Sequence, residues 1–487
     1  MDYEMRFATN GFAPTPCNSQ TERRLYAYLS DPKEFLRLAK NHLLQKQGQG
    51  LRCRIDGGLF RSWAPFGVPV FLQSANPNFK AKVFFRSLPL ISFKRQPPAN
   101  VRPLKESNHR PARIYLNIGS LPFADNRSGI PRVAKELTRQ GLLRLDSHCF
   151  PVYADPMTGR YKIACGWINS CSLGDLLPED LKERVDDPEI TVQTGDWLIH
   201  TMINANELEY ESAYLASFRQ QGGKVGSILH DMIAELHPEF FKRRDAKNFS
   251  LWLRMIPSFD AIFAISKCVR DDYLNWIKRE GISSCICRSF TLGADFQIPS
   301  TTPALLRVAV LNRAFFLKVS TIEPRKGHAQ VLKAFESLWQ AGEAVNLVFV
   351  GRQGWKTRWL CHRIRKHKEL GRRLFWFCEI SDNELHALYQ QCRAVIMASE
   401  AEGFGLAIAE ALHFGKEVIA RDIPIFREVG GQGIHYFRGN ERAIATVVSE
   451  VLKSPPIKAS NTDQIVSWSD SYTQLVKIIK ESDCDKR

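Results

Sequence analysis

Phe316-Leu-Lys-Val-Ser320 runs into Thr321-Ile-Glu-Pro-Arg-Lys-Gly327 and then into His328-Ala-Gln-Val-Leu-Lys-Ala-Phe-Glu-Ser-Leu-Trp339, and this stretch decides the fold. The first five residues suit a buried strand, proline and glycine punctuate the loop, and the apolar residues at 331, 332, 335, 338 and 339 share one helical face. A strand, a loop and a helix in this order form half of a parallel crossover unit. The next unit repeats the pattern, from Asn346 to Val350 into Gly351-Arg-Gln-Gly354 and a basic segment. Further short β-branched or aromatic runs are Arg113 to Ile118, Val225 to Leu229, Ala261 to Ile265, Leu374 to Cys378, Ala394 to Ala398 and Glu417 to Ala420. Apolar runs of this length with helices between them predict an α/β protein whose parallel strands are covered on both faces. Its ligand-binding edge is the carboxyl end of the strands, where the loops 321–327 and 351–354 emerge.

The chain of 487 residues exceeds one ordinary core and suits two α/β domains with an extension. No stretch approaches the roughly 20 unbroken apolar residues of a membrane span, and Met1-Asp-Tyr-Glu-Met-Arg lacks the positive start of a signal peptide. A cytoplasmic location is expected, with attachment to the inner face of the membrane as an extension of it. The cysteines are scattered, and the close pair Cys285-Ile-Cys287 has no second pair at metal spacing, so reduced thiols are expected. Residues 1–110 mix short helical stretches such as Asp31 to Gln45 with Pro-rich pieces. They read as a basic extension closed by a linker from about Lys94 to Arg110.

The net charge of +16 is local: residues 1–110 hold 18 Lys and Arg against 7 Asp and Glu, and residues 355–373 hold 8 against 1. The second segment reads first as a solvated helix face; the competing reading is that it and the basic N-terminal extension touch an anionic membrane surface. No nucleic-acid module is recognisable, so nucleic acid is not an expected partner.

The chemistry concentrates in Glu402-Gly-Phe-Gly-Leu-Ala-Ile-Ala-Glu410. Gly403 and Gly405 make one helix through both glutamates unfavourable, which places Glu402 in a loop after the strand 394–398 and Glu410 about a turn into a helix 406–414. Loop amides and a helix N-terminus favour an anionic ligand, and carboxylates accept hydrogen bonds from sugar hydroxyls. Arg325 and Lys326, beside Pro324 and Gly327, suit a diphosphate whose negative charge grows as it leaves. The triplet Asp483-Cys-Asp485 lies at the end of the chain, where fraying is expected, so no metal is assigned.

Residues from about 113 to 480 resemble glycosyltransferase family 4, the retaining GT-B enzymes, and within it the bacterial mannosyltransferase-like members of O-antigen and exopolysaccharide synthesis. The matching motifs are Thr321 to Gly327, Leu347-Val-Phe-Val-Gly351 with Gly354-Trp-Lys-Thr357, Ile380-Ser-Asp-Asn-Glu-Leu385, Glu402 to Glu410, and Arg421-Asp-Ile-Pro-Ile-Phe-Arg-Glu-Val-Gly430. Ser128-Gly-Ile-Pro-Arg132, Leu229-His-Asp-Met-Ile233, His237-Pro-Glu-Phe240, Ile265-Ser266 and Leu292-Gly-Ala-Asp295 extend the likeness toward the N-terminus, and Ser467-Trp-Ser-Asp470 toward the C-terminus.

The resemblance implies two Rossmann-like parallel-sheet domains facing a central cleft. Residues 111–310, joined by a C-terminal helix at 465–480, would form the acceptor domain and 311–464 the donor domain, with 1–110 unmatched. It implies that Arg325 and Lys326 bind the donor diphosphate, Glu410 the ribose, and Glu402 with Gly403, Phe404, Gly405 and Leu406 the sugar. Gly129 would approach the diphosphate from the opposite domain, His230 and Asp231 would face sugar and acceptor, and Ile380 and Ser381 would touch the base. Ser320, Thr321 and Gly351 complete the donor set. The implied reaction is same-face transfer of a hexose, mannose from GDP-mannose, to a polysaccharide or lipid-linked glycan. The leaving phosphate takes the acceptor proton, with no metal or other cofactor beyond the nucleotide-sugar co-substrate.

Blander readings stand beside these. His230-Asp231 can be a capping pair for the helix that follows, and Gly351 and Gly354 can mark a tight turn. A sugar-nucleotide epimerase or hydrolase, and a non-catalytic partner in a glycan assembly complex, are the rival functions.

Overall fold

The computed structural model describes residues 51–55, 58–62 and, apart from short loops and residues 296–311, the chain from 110 to 484. In the N-terminal unit, Leu51–Ile55 (β1) and Gly58–Ser62 (β2) form an antiparallel pair. The helix expected at 31–45 and the linker expected at 94–110 lie outside the described residues, except for Arg110.

The other unit contains two sheets. The first comprises Ile114–Asn117 (β3), Cys149–Ala154 (β4), Tyr161–Ile163 (β5), Trp197–His200 (β6), Lys224–Leu229 (β7), Ala261–Ala264 (β8) and Ile286–Ser289 (β9), in the order β5-β4-β3-β6-β7-β8-β9. All neighbours are parallel except β4 and β5. The second comprises Phe315–Val319 (β10), Asn346–Val350 (β11), Leu374–Phe377 (β12), Ala394–Met397 (β13), Glu417–Arg421 (β14) and Ile434–Phe437 (β15), all parallel, in the order β12-β11-β10-β13-β14-β15. This is the doubly wound order, in which the chain reverses its direction across the sheet between β10 and β13. The loops leaving those two strands therefore diverge and leave a crevice.

Alternation along β10 shows why these residues make a central strand. Phe316 packs in the core on one face, and Phe315 and Leu317 pack in the core on the other. The helix His328–Gln340 buries Val331, Leu332, Phe335, Leu338 and Trp339, the stripe legible in its sequence. Strands β1, β2, β4, β5, β6, β9 and β15 escape a reading based on apolar runs. Pro151 stands inside β4, one residue before the β5 pairing begins, and β15 is only half-buried over most of its length.

Helices that carry the site are Gly129–Leu143 (α1), Arg243–Met255 (α2), Lys267–Glu280 (α3), His328–Gln340 (α4), Arg358–Arg365 (α5), Asp382–Gln391 (α6), Leu406–His413 (α7), Pro424–Gly430 (α8) and Trp468–Cys484 (α9). Helix α9 returns to the first sheet's core through Trp468, Tyr472, Leu475 and Ile479 and packs on α1. The frayed end expected around Asp483 is not found. Its carboxylate accepts from Trp197 Nε1 at 3.1 Å and Lys224 Nζ at 2.5 Å, so it pins α9 to β6 and β7. No helix among the described residues is long and apolar enough to cross a membrane.

Candidate active site

The crevice between β10 and β13 is built from two loops tied together. After β10, Ile322 is fully buried and its amide donates to Arg352 O at 2.8 Å, which anchors the turn Pro324–Lys326 that follows. Gly327 has φ +72°, and a Cβ there would lie 2.4 Å from Ala398 O, so only glycine lets this loop rest on the end of β13. From the β13 loop, Glu400 N donates to Arg325 O at 2.8 Å.

This scaffold brings Glu402 between both cations. Lys326 Nζ donates to Glu402 Oε1 at 2.5 Å, and Arg325 Nη1 donates to Oε2 at 3.0 Å and to Ala401 O at 2.8 Å. Glu323 lies 3.2 Å from the other guanidinium nitrogen. Burial alone would raise the Glu402 carboxyl, but Lys326 and then Arg325 overcome it and hold it at about 2. Burial likewise works against the Arg325 guanidinium, yet Glu402, Glu323 and Asp231 raise it above its ordinary value. Behind them, Lys318 is fully buried on β10, and Nζ has no hydrogen-bond partner among the described residues. Burial, reinforced by Lys326, pushes its ammonium down to about 7, and His328 beside it is held well below its usual range by burial and then by Lys318.

Glu410 has different surroundings. It is buried on α7, accepts from Tyr389 Oη at 2.5 Å, and is paired with Arg132 on α1 of the first domain. Gly405, at φ +94°, precedes Leu406 without a side-chain cap, which leaves the first-turn amides of α7 suited to an anion. The two glutamates thus occupy a loop and a helix, as their glycine spacing predicts.

The segment between them closes the cleft floor. A Cβ on Gly403 would lie 1.9 Å from His230 O, Ser266 Oγ donates to Gly403 O at 2.8 Å, and Phe404 packs into the first domain's core. Gly129 opens α1, and a Cβ there would sit 3.9 Å from Leu406 Cδ1. Glu428 on α8 accepts from the amides of Lys267 and Cys268 at 2.7 and 2.8 Å and so caps α3 across the domain boundary.

The remaining expected residues divide. His230 is buried, its Nε2 lies 2.7 Å from Thr201 O, and burial lowers its pKa below the ordinary value. Asp231 accepts from Ile233 N at 3.0 Å, the capping role, while its charge also reaches Arg325. Ser381 is committed to a reciprocal cap with Glu384 at the start of α6, next to half-buried Ile380. Ser320 Oγ faces His328 Nε2 at 3.4 Å, and Thr321 is half-buried beside it. Gly351 has φ +143°, and a Cβ there would lie 2.1 Å from Ser320 O, so the glycine is required by the packing of two strand ends.

Sequence reading missed Arg132, Tyr389, Lys318 and Glu428. Arg132 offered one signal, as the cation three residues after Gly129 in a segment already matched to the cleft. Lys318 offered another, a lone charge inside an apolar strand.

Residues 308–466 match the family model for glycosyl transferases group 1. The serotype-specific mannosyltransferase WbdA of Escherichia coli is 32% identical over 373 residues, 73% of this chain and 44% of that protein. The chain therefore spans under half the length of this relative. Among solved structures, a sucrose-phosphate synthase from Thermosynechococcus elongatus aligns with a TM-score of 0.54 at 14% identity, over 76% of this chain and 99% of that one. An α,α-trehalose 6-phosphate synthase from Burkholderia multivorans aligns with a TM-score of 0.51 at 12% identity, over 78% and 98%. The fold is GT-B.

Proposed function

We propose that this GT-B glycosyltransferase, with its group 1 domain at residues 308–466, transfers mannose from GDP-mannose to a growing polysaccharide or lipid-linked glycan, with retention and without a metal. The observation that carries the reading is the triad Arg325, Lys326 and Glu402 at the point where the second sheet reverses direction. The name of the similar mannosyltransferase supports the choice of sugar.

In the free protein Glu402 satisfies two cations that a donor diphosphate would also satisfy. Donor binding then exchanges a carboxylate for phosphate oxygens on Lys326 and Arg325, and the first-turn amides of α7 add to the anion site. Glu402, released, accepts hydrogen bonds from the sugar hydroxyls. Glu410 accepts from the ribose, Ile380 and Ser381 lie against the base, and Asp231 and the backbone at His230 border the acceptor. The acceptor hydroxyl attacks the anomeric carbon on the face that the leaving group vacates. As the bond from that carbon to phosphate oxygen breaks, the hydroxyl proton passes to the departing phosphate, and nucleoside diphosphate leaves. The fixed charges of Arg325 and Lys326 stabilise the phosphate most as that bond breaks, where their effect on rate is largest.

The test is a transfer assay with GDP-mannose and an oligosaccharide acceptor, with the new linkage read by NMR. The proposal expects an α-linkage that keeps the donor's configuration, and unchanged activity in EDTA. Full activity of Lys326→Ala or Glu402→Ala would overturn the site. Activity lost in EDTA and restored by Mg²⁺ would overturn the metal-free mechanism, and sugar release without acceptor would make the chain a hydrolase.

A further inference from the structure

The stretch from Trp355 to Arg373 carries charge that the proposed reaction leaves unused. Helix α5 buries Leu360, Cys361 and Ile364. The exposed residues of the helix and its C-cap are Arg358, Trp359, His362, Arg365 and Lys366, which at 3.6 residues per turn fall within about 120° of the helix circumference. The loop from α5 to β12 continues the same character with exposed Lys368, Leu370 and Arg372. Trp359 is 60% exposed and Leu370 37%.

The neighbouring carboxylates are already taken. Glu336 is held by Arg363 and His367, Glu369 is buried against Arg373, and Glu379 is paired with Arg352. Arg365 lies over the Trp376 ring at 4.9 Å and near Gln353 at 3.3 Å. Arg358, Lys366, Lys368 and Arg372 form no ion pair or side-chain hydrogen bond among the described residues. A large indole and a leucine among four unpaired cations is a mixed surface that water serves poorly.

The start of the patch is fastened to the first domain. Trp355 stacks on Phe241 at 5.5 Å and donates from Nε1 to Phe240 O at 2.8 Å, and Lys356 Nζ donates to Glu239 O at 2.8 Å. Lys356 has φ +56°, a left-handed conformation that a non-glycine residue holds at some cost. These contacts fix the orientation of α5 relative to both domains.

We infer that the exposed face of α5 and the loop after it rest on an anionic lipid surface, with Trp359 as the interfacial anchor and Arg358, Lys366, Lys368 and Arg372 over the headgroups. Charge complementarity selects the anionic partner, because cations near such a surface strengthen binding individually and lose that effect in salt. The exposed indole selects lipid over nucleic acid. Trp sits well at the boundary between headgroup and acyl chain, whereas stacking of successive bases needs more than one exposed ring. The inference is independent of the donor and of the reaction proposed above.

The test is co-sedimentation of the full chain with vesicles of phosphatidylcholine, or of phosphatidylcholine containing a third phosphatidylglycerol, at low salt. Binding is expected only to the anionic vesicles. Neutralising Arg358, Lys366, Lys368 and Arg372 together to Gln should weaken partitioning by roughly fivefold per cation. Trp359→Ala should weaken it several-fold at unchanged net charge. A matched control, Lys94, Arg95, Arg102 and Lys105 to Gln, should weaken it less than the α5 set. Equal loss in the two charge sets, equal binding to neutral vesicles, or tighter binding to a single-stranded oligonucleotide than to anionic vesicles would each overturn the inference. Transfer to a water-soluble acceptor should persist in the α5 variants, so failure here is separable from failure of the catalytic reading.

Discussion

The two ends of one nine-residue segment are held in opposite ways. Glu402 is gripped by two cations of its own domain, Arg325 and Lys326, within a loop fixed by Gly327. Glu410 is gripped by Tyr389 of its own domain and by Arg132 of the other. The difference teaches that the segment performs two tasks. Its start assembles an anion site that exists within one domain, and its end ties that site to the first domain.

The comparison is broken most severely at the first cluster. Lys326→Ala should cost about 10³-fold in kcat/KM, the scale of losing a preorganised charge at a leaving group. The measurement is steady-state transfer, with circular dichroism to show retained folding. Gly403→Ala tests the middle of the segment. Its Cβ would press on His230 O, so domain apposition should fail, with about 10²-fold loss of activity and little change in thermal midpoint. Gly351→Ala should do the reverse. Its Cβ would press on Ser320 O where two strand ends pack, and the variant should destabilise the fold by about 3 kcal/mol, read by urea titration.

The second cluster should respond more mildly. Arg132→Met and Glu410→Gln are each expected to raise the donor KM about tenfold, and the double variant little further, because the two side chains act as one unit. Additive effects would separate them and dissolve the comparison.

Each half of the first cluster was legible because it is local, although the 76 residues between Lys326 and Glu402 hide their pairing. The loop 321–327 carries its own turn residues, and the glycines at 403 and 405 announce a loop before a helix. The partners of Glu410, Gly403 and Glu428 were not legible. Arg132 is 278 residues from Glu410, Ser266 is 137 from Gly403, and Lys267 is 161 from Glu428, so nothing periodic connects them. The same holds for Asp483, whose apparent fraying by position is overruled by Trp197 and Lys224. Ser381 and Asp231 show the converse limit, since a capping residue and a ligand-contacting residue look alike in sequence.

The pH dependence of stability tests the buried charges at and behind the first cluster. Glu402 titrates at about 2 in the folded chain, below its ordinary value, so its contribution is complete above the ordinary range and is lost as pH falls toward 2. Lys318 runs the other way. Its folded ammonium deprotonates at about 7, while the unfolded chain holds the proton to the ordinary 10.5. Between those values the unfolded state binds more protons, so the stability owed to this residue rises with pH. Lys318→Met should flatten that slope in denaturant titrations from pH 7 to 10 and stabilise the protein at the lower end.

The central claim is that Glu402 occupies the cations a donor diphosphate needs, and calorimetric titration of GDP into wild type, Lys326→Ala and Glu402→Gln tests it most directly. Lys326→Ala should bind GDP at least about tenfold more weakly. Glu402→Gln should bind it several-fold more tightly, because the competing carboxylate is gone, while transferring little sugar. GDP affinity unchanged by Lys326→Ala, or weakened by Glu402→Gln, would contradict the account.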